Sequence, residues 1–199
     1  MILADPPWEY KNKNTGGSMK SGAKNKYDTI NAFRLREIGE LLEPMLDDPC
    51  YCFLWTTNTH IEEALAAMFY WGFEYKTTLT WIKDYGGEKM GMGFWFRGGT
   101  EHLLVGSRGK KVKPFNFQYP NHFKVEVALH SEKPIWTYLM IEQIPKECLG
   151  GQKLKPLELF ARKQRKYWDA AGYEFDGKDI RESLKDMHEI LKIDNICYV

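Results

Sequence analysis

The chain has 199 residues, of which 43% are hydrophobic and 28% charged, with a formal net charge of +1. That is enough for one sizeable soluble core and short for two independent domains. The balance argues against a surface coated in positive potential, and no apolar run approaches the length that would cross a membrane. Cys50, Cys52, Cys148 and Cys197 are too few and too irregularly spaced for a disulfide framework or a zinc site, and the five histidines show no ligand spacing, so no bound metal is expected. The N-terminus lacks the basic region and long apolar stretch of a signal peptide, so a cytoplasmic location is expected.

In chain order, Ile2-Leu3-Ala4 reads as a short buried strand that ends in the turn Asp5-Pro6-Pro7-Trp8. A basic loop over residues 11–27 follows, with five lysines, three glycines and no acids between Lys11 and Lys26. Phe33, Leu35, Ile38, Leu41, Leu42 and Met45 recur at helical spacing, with Pro44 and Pro49 at the end. Residues 50–55 (CYCFLW) form a continuous apolar run typical of a strand covered on both faces, with Cys50 and Cys52 on one side. Thr59-His60-Ile61-Glu62 fits a capping box ahead of the stripe Ile61, Ala64, Leu65, Met68 and Phe69, and Gly72 falls where a C-terminal cap belongs.

Residues 74–82 alternate like a strand, and a glycine-rich loop over residues 84–100 carries Phe94, Trp95, Phe96 and Arg97. Long loops within compact domains are usually functional. Residues 102–105 resume a strand, four cations lie between Arg108 and Lys113, and residues 125–129 read as another strand. Pro134 suits the first position of a helix carrying Ile135, Leu139 and Ile141, and residues 157–160 form a further short strand. Residues 1–176 thus read as one domain, and residues 177–199 as an amphipathic C-terminal helix (Ile180, Leu184, Met187, Ile190, Leu191) that packs on the domain or docks a partner. Alternating strands and helices predict an α/β sheet with helices on both faces, whose ligand-binding edge lies at the strands' carboxyl ends. Asp5, Thr56 to Asn58 and Ala161-Arg162 would emerge there. The GxGxxG fingerprint is absent, so a dinucleotide cofactor is not supported.

The most informative segment is Asp5-Pro6-Pro7-Trp8. Its plain reading is a turn in which two prolines stop a strand. Its chemical reading is a site that methylates an exocyclic base amine. Such an amine is a poor nucleophile because its lone pair is delocalised into the ring. A carboxylate and a proline-fixed carbonyl that accept its two N–H bonds favour the tetrahedral nitrogen that attacks a methyl carbon in line. Trp8 would offer an apolar face on which an extruded base stacks. The lysine-rich loop directly after this turn suits phosphate contacts.

With Asp5-Pro6-Pro7-Trp8 come Tyr27-Asp28-Thr29-Ile30, Phe53-Leu54-Trp55-Thr56-Thr57-Asn58, Trp71-Gly72-Phe73, Trp81-Ile82-Lys83, Glu101-His102-Leu103-Leu104-Val105-Gly106, His130-Ser131-Glu132-Lys133-Pro134 and Glu158-Leu159-Phe160-Ala161-Arg162. In this order the chain resembles the MTA-seventy-like family of adenine amino-methyltransferases, named for the catalytic subunit of eukaryotic mRNA adenosine methylation. The resemblance implies a Rossmann-like methyltransferase fold in permuted order, the catalytic strand preceding the cofactor-binding strand, with S-adenosylmethionine as donor. Asp5 would contact the target amine and the donor's ammonium, Lys133 the donor's carboxylate, and Arg162 and Glu174 its ribose. Tyr27 and Glu101 would hold the target nucleoside with Trp8, and Lys11 and Lys13 the polymer.

Trp55 and Trp81 are assigned to the core, and His102 and His130 to structure. Three departures stand out: only Met1 to Ala4 precede the catalytic turn, Tyr173 stands where relatives commonly carry Asn, and the connection over residues 148–155 is long. The first predicts weakened donor affinity or a truncated start, and the second makes the Glu174 contact the less secure. The implied activity is adenine methylation in nucleic acid, with DNA favoured. The alternatives are the same reaction on RNA, or a non-catalytic nucleic-acid-binding subunit, with a homo- or heterodimer admitted.

Overall fold

The computed structural model describes residues 1–8, 32–87, 91, 95–127 and 132–196. Its architecture starts from strand β2 (Cys50–Thr56), whose seven residues are all buried. Alternate side chains leave opposite faces of a strand, and here both faces are covered. Cys50, Cys52 and Leu54 join a core with Leu35, Ile38, Ala64, Met68 and Leu184, while Tyr51, Phe53 and Trp55 join another with Trp81, Tyr138, Ile141 and Trp168. The two sulfurs therefore share one side, as their alternation predicts.

In order, the remaining elements are β1 (Ile2–Ala4), α1 (Ala32–Leu42), α2 (Ile61–Tyr70), β3 (Glu74–Asp84), β4 (Thr100–Arg108), β5 (His122–Glu126), α3 (Ile135–Glu142), β6 (Leu157–Leu159), β7 (Asp169–Ala171), α4 (Tyr173–Asp176) and α5 (Ile180–Ile196). The strands form one sheet in the order β5-β3-β4-β2-β1-β6-β7. β4 is antiparallel to both β2 and β3, and the other pairings are parallel. Reversing β4 has a positional consequence: its first residues lie beside the last residues of its neighbours, with Glu101 opposite Trp81 and His102 opposite Thr56. The chain's first strand sits between β2 and the late strand β6, so Asp5 leaves the sheet amid segments distant in sequence.

Helices α1, α2 and α5 contribute to the first core, and α3 to the second. The second face is completed by Val112, Phe115, Phe117 and Phe123; the Phe115 ring stacks on Phe53 and tilts against Tyr51, and the Phe123 ring tilts against Trp136. Helix α5 packs on the domain: Leu184 is fully buried, and Arg181 Nη1 reaches Glu37 Oε2 on α1 at 2.8 Å. Among the described residues no helix is long and apolar enough to cross a membrane.

Three local expectations change. The capping box does not form: a 3-10 turn, Asn58–His60, leads into α2, and the Thr59 hydroxyl is shared with Thr57 and His60 Nδ1. The strand read at 125–129 runs from His122 to Glu126, and 128–131 lie outside the described residues. Pro134 caps α3 rather than opening it. Gly72 does sit just past α2 with φ +78°, and its N–H donates to the Phe69 carbonyl at 3.0 Å.

The packing of α1 on α2 generates a sharp test. A Cβ at Gly39 would stand 2.3 Å from the Tyr70 carbonyl oxygen and 3.1 Å from Trp71 Cδ1. Trp71 is itself tied to α1, its indole N–H donating to the Leu35 carbonyl at 2.8 Å. Gly39→Ala must therefore push the helices apart, against its higher helix propensity. We expect a loss of about 1–3 kcal/mol in denaturant unfolding, whereas an unchanged midpoint would show that the contact is dispensable.

Candidate active site

Asp5 is the first residue beyond β1, and the two prolines behind it cannot donate to a ladder, so pairing stops there. The turn closes on itself, Trp8 N–H donating to the Pro6 carbonyl at 2.9 Å. That carbonyl keeps its second lone pair. The Asp5 side chain is 27% exposed, so it is reachable from outside. Lys133, just before α3, brings its Nζ to 2.8 Å from Asp5 Oδ2 and 3.2 Å from Glu101 Oε2. Lys83, at the end of β3, holds the other Glu101 oxygen at 2.5 Å. The result is a row of alternating charge, Lys83, Glu101, Lys133 and Asp5, along the carboxyl edge of the sheet.

The row rests on an aromatic floor. Lys133 lies over the Trp55 ring and Lys83 over the Trp81 ring, at 5.6 and 5.1 Å from the centroids, and the two indoles meet edge to face. Cations over ring faces are attracted by the quadrupole. Trp55 and Trp81 are thus core residues, as their apolar strands predict, and also the base on which the charges stand. Burial pushes the Glu101 carboxyl up, but the ammonium groups of Lys133 and Lys83 outweigh it and hold it below its ordinary value. Burial likewise pulls the Lys133 ammonium down, and Asp5 and Glu101 outweigh that to raise it. The charged form is therefore favoured at both Glu101 and Lys133.

A second group stands at the end of β6. Phe160 adopts φ +60°, in the left-handed region that bulky side chains seldom enter, and turns the chain toward Arg162. Gly172 permits a close approach: a Cβ there would lie 2.5 Å from Ala161 N and 2.6 Å from its carbonyl oxygen. The two segments press together, and Arg162 Nε comes to 3.6 Å from Glu174 Oε1. Glu132 and Lys163, the neighbours of Lys133 and Arg162, are joined at 2.8 Å, which ties the two groups into one rim. A cleft of about 690 Å³ opens alongside, between Trp81, Lys133, Glu142 and the loop of residues 163–167.

The structure thus unites Asp5, Glu101 and Lys133, and pairs Arg162 with Glu174. Asn58 joins the same edge, its amide donating to Thr100 Oγ1 at 3.1 Å and its carbonyl meeting His102 Nε2. Trp8 takes a different place from the open platform expected of it. It is 5% exposed, its indole N–H donates to the Trp55 carbonyl at 3.1 Å, and its ring stacks on His60. An indole adjoining a strand end is drawn into the core when a carbonyl lies within reach of its N–H. Tyr27, Lys11, Lys13 and His130 lie outside the described residues. Lys83 received no role from the sequence. Its signal was the two-residue spacing from Trp81, which puts both on one strand face. Among the described residues no cluster of three or more His, Cys, Asp or Glu suits a metal.

The profile of the MT-A70 family matches residues 1–174. The chain is 32% identical over 197 residues to the Type II methyltransferase M.MunI of Mycoplasma sp., an overlap covering 90% of this chain and 79% of that protein. It is 27% identical to the N(6)-adenosine-methyltransferase MT-A70-like protein of Drosophila melanogaster, and 28% identical to the N(6)-adenosine-methyltransferase catalytic subunit METTL3 of Homo sapiens. In each, 89% of this chain is covered and it spans about a quarter of the relative, 27% and 28% respectively. The motif order, the geometry of the charged edge and a profile match over most of its length together place this chain in the MT-A70 family.

Proposed function

We propose that the protein transfers a methyl group from S-adenosylmethionine to the exocyclic amino nitrogen of adenine in nucleic acid, with DNA the favoured polymer. The observation that carries this reading is the reachable Asp5 carboxylate beside the largely buried Lys133 ammonium. The names of the relatives support adenine N6 as the target, and the fuller overlap with a type II methyltransferase favours DNA. The order of the strands supports a permuted arrangement, in which β1 carries the catalytic turn and β6 leads to the cofactor.

The residues present fit the donor. An amino-acid head needs a cation beside a carboxylate, which Lys133 and Asp5 supply, and a ribose diol needs mixed donors and acceptors, which Arg162 and Glu174 supply. The Gly172 approach brings those two side chains together. When bound, S-adenosylmethionine supplies a methyl carbon made electrophilic by its sulfonium. Lys133 would exchange Asp5 for the incoming carboxylate, which frees Asp5 to accept hydrogen bonds from the ammonium and from the target amine. Asp5 and a backbone carbonyl of the turn would accept the amine's N–H bonds and draw its lone pair out of the ring toward the methyl carbon, and Asp5 would take the amine's surplus proton. Glu101, fixed by Lys83, would hold the nucleoside.

Asp5→Asn keeps the shape of the side chain and removes its charge. We expect kcat to fall by a factor of about 10²–10³ with the unfolding midpoint nearly unchanged, read with labelled donor on adenine-containing DNA and RNA in parallel. Wild-type turnover in that variant would refute the role of Asp5, and modification of RNA alone would reverse the choice of polymer.

The charged row also fixes a pH response. The Glu101 value is depressed, so its contribution is present above the ordinary carboxyl value of 4.5 and is lost as pH falls through the folded value. The Lys133 value is raised, so its contribution is complete below 10.5 and is lost as pH rises through the folded value. Lys83→Met removes one of the cations that depress Glu101. The acid limb of kcat/KM should then move to higher pH while the alkaline limb stays in place. An unmoved acid limb would mean that Lys83 does not act through Glu101.

A further inference from the structure

Trp8 is packed inside, and the bases left behind by an extruded adenine need an aromatic surface at the same edge to replace their lost stacking partner. The loop joining β3 to β4 springs from the two strands that hold Lys83 and Glu101, and its tip carries Trp95, 94% exposed, and Phe96, 88% exposed, followed by exposed Arg97. Side chains this large and apolar are normally covered, and adjacent uncovered ones mark an interaction surface.

The base of the loop is held. Lys83 N–H donates to the Gly99 carbonyl at 2.9 Å, Gly91 N–H to the Gly98 carbonyl at 3.1 Å, and the Tyr85 hydroxyl to the same Gly98 carbonyl at 3.3 Å. The two sides approach so closely that a Cβ on Gly91 would stand 2.5 Å from the Gly98 oxygen. The tip is thus tethered through Lys83 to the charged row itself.

We propose that Trp95 and Phe96 form the stacking surface for the bases that flank the target adenine, with Arg97 meeting an adjacent phosphate. This rests on the methyltransferase reading and extends it to the polymer. When a base leaves its stack, its neighbours lose a partner, and inserted aromatic rings replace that contact. Two features favour a nucleic acid over a protein as the occupant. The tip's base is tied to the strands that carry Lys83 and Glu101, and the two rings are followed in the chain by an exposed cation, Arg97, the combination that tracks bases and backbone together.

The test uses the full-length protein and a fluorescent mixed-sequence oligonucleotide, followed by polarisation without any methyl donor. Trp95→Ala/Phe96→Ala should weaken binding by at least about tenfold and raise KM for the oligonucleotide more than it lowers kcat. Calorimetric affinity for S-adenosylmethionine should be unchanged, and Trp95→Phe/Phe96→Tyr should restore binding. Wild-type oligonucleotide affinity in the double alanine variant overturns the proposal. So does weakened binding that accompanies a loss of oligomer in sedimentation, which would make the tip a protein contact. The methyltransferase reading fails separately, if the wild type binds the oligonucleotide and the donor yet modifies no adenine.

Discussion

An ammonium group that is only 11% exposed has to be paid for with opposite charge, and Lys133 finds it on both sides. Removing an ion from water costs several kcal/mol unless partners and hydrogen bonds replace the lost hydration. Asp5 and Glu101 supply one side each, and Lys83 completes Glu101. Because each member needs the next, the side chains hold one another at fixed separation. Pre-organisation of this kind is what electrostatic catalysis requires, since groups already in place need no rearrangement as charge develops.

The sheet explains how residues 5, 83, 101 and 162 reach one edge. Parallel strands deliver their carboxyl ends to a common edge, which accounts for Asp5 after β1, Lys83 at the end of β3 and Arg162 after β6. Glu101 arrives by the opposite route, at the start of the reversed strand β4. The loop before β4 therefore begins and ends at the charged edge, where Lys83 and Gly99 pair its base.

Much of this was legible in the sequence, for definable reasons. The continuous apolar run of residues 50–55 announced a strand buried on both faces, and the turn at Asp5 was marked by prolines that cannot extend a ladder. Lys133 and Arg162 came from motif order, and the structure places each beside a carboxylate. What stayed hidden was three-dimensional. β7 and α4 comprise three and four residues, too short to show a period. Lys83 looked like any charge at a strand end until Glu101 was seen beside it. Trp8 misled because adjacency to the Asp5 carboxylate along the chain does not decide on which side of the turn an indole falls. The Trp55 carbonyl, within reach of its N–H, settled that.

The row of Lys83, Glu101, Lys133 and Asp5 holds two cations and two anions, and so sums to zero formal charge. A zwitterionic head exchanging into it alters no net charge, and the donor's single sulfonium charge gives counterions far less to screen than a run of phosphates does. Contacts with a phosphate backbone behave oppositely, because each releases condensed ions and weakens as salt rises. The two proposed reactants would accordingly be governed by separate physical controls. Ionic strength would regulate how long the polymer stays, while the small-molecule pocket keeps nearly constant occupancy, so that release of the long substrate can be hastened without emptying the other half of the site.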